Sequence, residues 1–338
     1  MESRCRLTAS GDAARSLRLF AFGGGGTFRL VIHATLLPNR RVAFLLGSLI
    51  AMQTVACLAA ESPTPAERLL KTPRPLVIGH RGFSQFAPEN TLPSFKFATL
   101  ASADLVELDY HHSKDGALIV IHDYDLDRTT DAVAKWGGKK IRVDSKTAAE
   151  LQTLDAGKWL NPMFAGTRLP LLPEALDFIA KGGGVTLIER KAGEAAACVK
   201  LLRDKGMVNL VVVQSFDWTY LSDFHAQCPE QVLGALGPAG TRNGQKLTDA
   251  EKELSPAWID EARKAGASVV GWNKLVTRAA VEYAHQQGLK VWVYTINEAP
   301  LASTMLDMGV DGIITDNTAV IWRALALRQA GASQATAR

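Results

Sequence analysis

His80 and Arg81 follow a short apolar run, Glu107 and Asp109 end a second, His122 ends a third, and Glu189 and Lys191 close a fourth. Side chains alternate faces along a strand, so Glu107 and Asp109 point the same way, as do Glu189 and Lys191. Three carboxylates gathered at one mouth repel one another until a cation relieves them. Hard oxygen ligands suit Ca2+ or Mg2+ rather than zinc, so the pattern predicts one divalent metal ion on Glu107, Asp109 and Glu189. Two imidazoles with ordinary pKa values near ~6.5 can give and take protons around neutral pH, which suits His80 and His122 to acid-base work. Arg81 and Lys191 add fixed positive charge, and an arginine can grip a phosphate with two prongs.

The elements that must position these residues are legible as alternating short apolar runs and amphipathic stretches. Strands are expected at Leu76–Gly79, Leu105–Asp109, Leu118–His122, Val185–Glu189, Leu210–Gln214, Val232–Ala235, Ser268–Gly271, Val291–Thr295 and Gly312–Thr315. Helices are expected between most of them: Leu92–Ala101, Leu172–Ala180, Ala195–Lys205, Pro256–Ala265, Arg278–Gln287 and Ala299–Met308. Gly206, Gly266, Gly288 and Gly309 stand where a helix stops before the next strand.

One pair of strands departs from this alternation. The link from Asp109 to Leu118, containing Ser113-Lys114-Asp115-Gly116, is too short for a parallel crossover and predicts an antiparallel hairpin. A turn centred between Asp115 and Gly116 would set residue 109 opposite residue 122. Setting the second hairpin strand aside leaves eight strands in βα order, the number that closes a (β/α)8 TIM barrel with its site at the strands' C-terminal ends. Residues 123 to about 170 lack a long apolar period and are expected to form a small insertion after the hairpin, walling the site.

These residues also carry a resemblance. His80-Arg81-Gly82, Pro88-Glu89-Asn90-Thr91, Glu107-Leu108-Asp109, Lys114-Asp115-Gly116 leading to His122-Asp123, Glu189-x-Lys191, Ser215-Phe216, the run from Val291 to Asn297 and Gly312-Ile313-Ile314-Thr315-Asp316 resemble, in order, the motifs of the glycerophosphodiester phosphodiesterase family. The resemblance spans roughly residues 75 to 320. It implies a barrel with an insertion, a divalent metal at Glu107, Asp109 and Glu189, acid-base histidines at His80 and His122, and Arg81 and Lys191 on the phosphate. Arg190 stands where the family commonly has an apolar residue, and Tyr294 where it often has Trp, which bears on the alcohol pocket.

Plainer readings apply to other residues. His225 and His285 lie in helix-like stretches and read as structural. His111 shares the face of Glu107 and Asp109 and so stands near the site, whereas His112 points away. Glu89 and Asn90 are placed beside the site, although Asn90 or Thr91 could equally start the helix at Leu92. Trp258, Trp272 and Trp292 are core or pocket. Glu107, Asp109 and Glu189 could instead pair with Arg81 and Lys191 without a metal, but three acids against two bases leave an excess negative charge.

Composition bounds the rest. The 338 residues are 47% hydrophobic and 21% charged, the balance of a globular protein. Net charge is +4, but the first sixty residues carry seven Arg against Glu2 and Asp12, so the body is close to neutral. With no lysine or arginine stripe in that body, nucleic acid is not an expected partner. The charge balance leaves room for a small phosphate ester, and the resemblance implies a small-molecule glycerophosphodiester.

Arg40-Arg41 and the uncharged stretch from Val42 to Ala60 read as a secretory signal, cleaved near Ala59 or Ala60, with synthesis starting nearer Leu36. The expected location is periplasmic or secreted, the alternatives being retention of residues 42–60 as a membrane anchor or lipidation of Cys57. The expected division is an N-terminal extension over 1–60 and one barrel domain over 61–338. Cys198 and Cys228 remain in the body, with a disulfide permitted and oligomeric state open. The function expected is metal-dependent hydrolysis of glycerophosphodiesters to sn-glycerol 3-phosphate and an alcohol. The alternatives are a related lyase acting on lysophospholipid or sphingolipid headgroups and a non-catalytic barrel that binds phosphodiesters.

Overall fold

The computed structural model describes residues 17–23, 26–32, 62–242 and 244–336. Contacts divide the chain into Met1–Ser62 and Pro63–Arg338. In the first unit Leu17–Gly23 and Gly26–Ile32 pair as an antiparallel hairpin, with Gly23 opposite Gly26. The two segments are short runs of residues that favour strands on either side of a glycine pair, which is a hairpin pattern in itself. The expected signal over residues 42–60 lies outside the described residues.

In the second unit eight parallel strands close a barrel. They are β1 (Leu76–Gly79), β2 (Leu105–His112), β3 (Val185–Arg190), β4 (Val212–Ser215), β5 (Leu233–Gly237), β6 (Val269–Trp272), β7 (Lys290–Val293) and β8 (Gly312–Thr315). Each pairs with the next, and β8 pairs with β1. Strands covered on both faces are continuous apolar runs rather than alternating ones, as Leu-Val-Ile-Gly in β1 illustrates. The crossovers are α1 (Leu92–Leu100), α2 (Leu172–Lys181), α3 (Ala195–Asp204), α4 (Trp218–Gln227), α5 (Pro256–Lys264), α6 (Arg278–Gln286) and α7 (Ala299–Asp307), with α8 (Thr318–Thr336) after the last strand. The sequence does not delimit α8, whose apolar residues show little preference for one face.

The barrel interior is filled by Leu76, Ile78, Leu105, Leu187, Val212, Val269, Trp292 and Ile314, joined by Ala66 from a short helix, Pro65–Leu70. That helix closes the N-terminal end of the barrel. Its Glu67 accepts a hydrogen bond from Asn209 Nδ2, in the loop before β4, at 3.1 Å. Leaving the C-terminal ends uncovered directs any chemistry to them. Trp258, Trp272 and Trp292 are all core. Cys198 and Cys228 are buried and free.

The hairpin forms with a register one residue from that expected. Tyr110 faces Val120, His111 faces Ile119 and His112 faces the start of the partner strand Leu118–Val120. The turn is a three-residue loop, Lys114-Asp115-Gly116, closed by Ser113 and Ala117 and made possible by a positive φ at Gly116. Asp109 therefore stands level with Ile121, whose N–H donates to the Asp109 carbonyl, and His122 lies beyond the pairing. The segment that follows has its own core of Leu126, Ala132, Val143, Leu151, Leu154, Ala156 and Leu169, packed on Ile119 and Ile121.

Candidate active site

Adjacent strands bring the acids together. In the parallel register of β2 and β3, Asp109 stands beside Glu189, and Glu107 lies two residues earlier on the same face as Asp109. One carboxylate oxygen from each of Glu107, Asp109 and Glu189 lies within 4.8 Å of the others. All three side chains are buried. Arg81 N–H donates to Glu107 Oε2 at 2.7 Å, while Glu107 Oε1 accepts nothing. Asn90 clamps Asp109 from both sides: its Nδ2 donates to Oδ2 at 2.8 Å and its Oδ1 accepts from the backbone N–H at 3.0 Å. Asp109 Oδ1 receives no hydrogen bond, although Lys191 Nζ lies 3.1 Å away.

The cluster's electrostatics are those of acids in excess. Burial, then the charges of Asp109 and Glu189, push Glu107 well above the usual carboxylate range. Burial and Asp109 push Glu189 up to about 7. Burial acts the same way on Asp109, but Lys191 and Arg81 outweigh it and hold that carboxyl below its ordinary value. Lys191 touches Glu189 as well, and Arg81 Nε sits 3.5 Å from Asp109 Oδ2 with no hydrogen-bond acceptor of its own. Two acids that resist ionisation and two carboxylate oxygens without a donor fit the residues to an oxygen-ligated divalent cation.

A cavity of about 190 Å³ opens onto this cluster, lined by His80, Arg81, Glu107, His122, Glu189 and Lys191, with Gln214, Phe216, Leu236 and Tyr294 on its far side. Each imidazole is held at Nδ1 by a carboxylate: His80 by Asp316 Oδ1 and His122 by Asp123 Oδ1, both at 2.6 Å. A carboxylate can only accept, so Nδ1 carries the proton and Nε2 is left as the working nitrogen. Asp316 is fixed in turn by Ser84 Oγ at 2.8 Å and Asn297 Nδ2 at 2.6 Å. Burial lowers the pKa of His122, as do the charges of Lys191 and Arg81, against the pull of Asp109. A second cavity of about 250 Å³, between α1 and the insertion, has Arg168 and Glu174 as its charged groups and lies apart from this cluster.

The other residues singled out in the sequence are placed as follows. His111 is buried behind the site, its Nε2 3.0 Å from the His122 carbonyl. Glu89 does not face the cavity but accepts from Arg81 Nη1 at 2.7 Å. Tyr294 lines the cavity and donates its hydroxyl to the Gly237 carbonyl at 2.5 Å, with Phe216 edge-on to its ring. Arg190 points away, to Asp217 and over the Tyr220 ring. Sequence reasoning assigns no role to Asp316, Asp123, Arg128 or Gln214. The signals were present in part: Asp316 directly follows the last residue of β8, and Asp123 adjoins His122.

Comparison with known proteins shows the family. Residues 80–320 match the Glycerophosphoryl diester phosphodiesterase family. The chain is 32% identical over 248 residues to the glycerophosphodiester phosphodiesterase of Caldanaerobacter subterraneus subsp. tengcongensis, covering 72% of this chain and 94% of the relative. It is 30% identical over 266 residues to the glycerophosphodiester phosphodiesterase of Bacillus subtilis, covering 73% and 85%. Among solved structures, an Oleispira antarctica phosphodiesterase in complex with the product sn-glycerol-3-phosphate superposes with a TM-score of 0.65 at 27% identity, covering 76% of this chain and 99% of that one. The chain belongs to the glycerophosphoryl diester phosphodiesterase family.

Proposed function

We propose that this chain hydrolyses glycerophosphodiesters to sn-glycerol 3-phosphate and an alcohol, with Glu107, Asp109 and Glu189 holding one divalent cation and two histidines moving the protons. The observation that carries this reading is a single cavity lined by two imidazoles, each with Nδ1 on a carboxylate, and by Glu107 and Glu189, whose carboxylates cluster with that of Asp109. The cation, Ca2+ or Mg2+, would supply a Lewis acid for the phosphate and the neighbouring glycerol hydroxyl.

The chain's own groups do the rest. Arg81 and Lys191 place positive charge where the crowded phosphorus gathers negative charge. One imidazole Nε2 takes the proton of the glycerol hydroxyl as its oxygen bonds to phosphorus. The other gives a proton to the departing alcohol oxygen as the old P–O bond breaks. Water then opens the cyclic phosphate, with the two histidines exchanging roles. Phe216, Leu236 and Tyr294 offer an apolar wall to the alcohol. Phosphorus NMR of glycerophosphocholine turnover tests the reading. We expect sn-glycerol 3-phosphate to accumulate, and His80→Ala and His122→Ala each to lose about 10²–10⁴-fold in rate. A terminal cyclic phosphate would point to a lyase, and phosphocholine as the product would contradict the proposal.

The export reading is likewise a proposal, supported by Arg40-Arg41 ahead of the uncharged residues 42–60. Sequencing the mature N-terminus tests it: a start just beyond Ala60 supports cleavage, and an intact 42–60 segment supports an anchor.

A further inference from the structure

Arg128 lies outside the cavity, yet it touches the supports of two groups inside it. Its Nε and Nη2 donate to Asp123 Oδ2 and Oδ1 at 2.6 and 3.0 Å. Its Nη1 and Nη2 donate to Glu89 Oε2 and Oε1, both at 2.7 Å. The carboxylate oxygens it grips are themselves in use. Asp123 Oδ1 also holds His122 Nδ1, and Glu89 Oε1 also holds Arg81 Nη1. A continuous chain of alternating charge thus runs from Arg81 through Glu89, Arg128 and Asp123 to His122.

We propose that Arg128 is a positioning residue that sets the orientation of both His122 and Arg81, tying the group that moves a proton to the group that grips phosphate. The inference rests on the catalytic reading above. Among the described ion pairs, no other joins the β1–α1 loop, which carries Glu89, to the insertion that carries Asp123 and Arg128. Arginine suits this place because one planar fork serves two carboxylates at once, each with two prongs. A lysine, a point charge, can serve one geometry at a time. His80 stands outside this chain: its Asp316 is held by Ser84 and Asn297, with no arginine involved. Removing Arg128 should therefore disturb His122 and Arg81 and leave His80 in place. Small displacements matter here, since about 1 Å of misplacement can cost on the order of 10²-fold in rate.

The test compares the full-length chain with Arg128→Ala, Arg128→Lys and, as a control from the same insertion, Arg142→Ala, whose ion pair with Asp144 lies in solvent. Turnover of glycerophosphocholine should fall about 10–100-fold in Arg128→Ala, less in Arg128→Lys and not at all in Arg142→Ala. The side chain is 44% exposed. Added guanidinium below its denaturing range should therefore reach the gap and restore part of the rate in Arg128→Ala, whereas the same concentration of sodium chloride should not. Nitrogen-15 spectra of the histidines give a readout that needs no turnover: the His122 ring signals should change in Arg128→Ala and return with guanidinium, while those of His80 stay. Normal turnover in Arg128→Ala, or a loss that guanidinium does not relieve and that tracks a fall in Tm, would overturn the proposal. If the parent chain hydrolyses no glycerophosphodiester, the reading of function fails. The His122 spectra then decide the positioning role alone, unchanged signals refuting it.

Discussion

His80 leans on Asp316 and His122 on Asp123, and both carboxylates are held far down the acid range by what surrounds them. Burial pushes Asp316 up, but hydrogen bonds from His80, Asn297 and Ser84 outweigh it and bring it to about 2. Asp123 is pushed up by burial and brought down to about 2 by Arg128 and His122. Two expectations follow at the scale of single residues. Asp316→Asn and Asp123→Asn should each lower kcat by about 10–100-fold, because an amide can turn its own donor toward Nδ1 and favour the wrong tautomer. The second concerns acid stability. Between about 2 and the ordinary aspartate value near ~3.9, the unfolded chain binds more protons than the folded one at these sites. Their contribution to stability is thus complete above that window and is lost as the pH falls through it. The urea midpoint of the parent chain should drop more steeply below pH ~4 than that of the Asp316→Asn variant, and equal slopes would refute the linkage. The acidic trio was legible in the sequence because a two-residue spacing on a strand fixes a shared face. Asp316 and Arg128 were not, because their partners lie 236 residues away for His80–Asp316 and 39 for Arg128–Glu89.

At the scale of elements, the eight strands were legible because apolar runs and helical stretches alternate throughout the second unit. The hairpin register was less so. A two-residue and a three-residue turn use the same Asp-Gly letters, and the choice between them shifts every pairing by one place. His122 nonetheless reaches the cavity because the chain leaves the sheet just before it. The corner after β1 is tightly packed. Gly82 has φ +89°, and a Cβ there would meet Ser94 Oγ at 2.4 Å and its backbone carbon at 2.6 Å. That corner also carries Arg81 at φ +52° and turns its N–H onto Glu107. Gly82→Ala should destabilise the fold by about 1–3 kcal/mol and reduce metal affinity through the displaced Arg81–Glu107 contact. Urea unfolding and metal titration measure the two effects. A stable variant with parent-like metal binding would contradict this account of the corner.

For the whole molecule, the division of labour is between the two ends of the barrel. The N-terminal end is plugged by Pro65–Leu70, and the C-terminal end concentrates buried charge around an open cavity. The layer between strands and helices encloses Cys198, whose thiol burial pushes up to about 12, and Cys228 beside it in the same core. Both thiols should resist a disulfide reagent at pH 8 in the folded chain and react together on global unfolding. Fast labelling of either under native conditions would show that this layer opens locally.

The central claim, that the acidic trio binds the cation on which phosphodiester hydrolysis depends, is tested most directly by the initial rate of glycerophosphocholine hydrolysis. The rate would be followed as Ca2+ or Mg2+ is returned to the chelator-treated chain, with Glu107→Gln alongside. The account predicts a rate near zero after chelation, saturable recovery with one of the two ions in the parent chain, and little recovery in the variant. Full activity in the chelated chain, or the same recovery curve in Glu107→Gln, would contradict it.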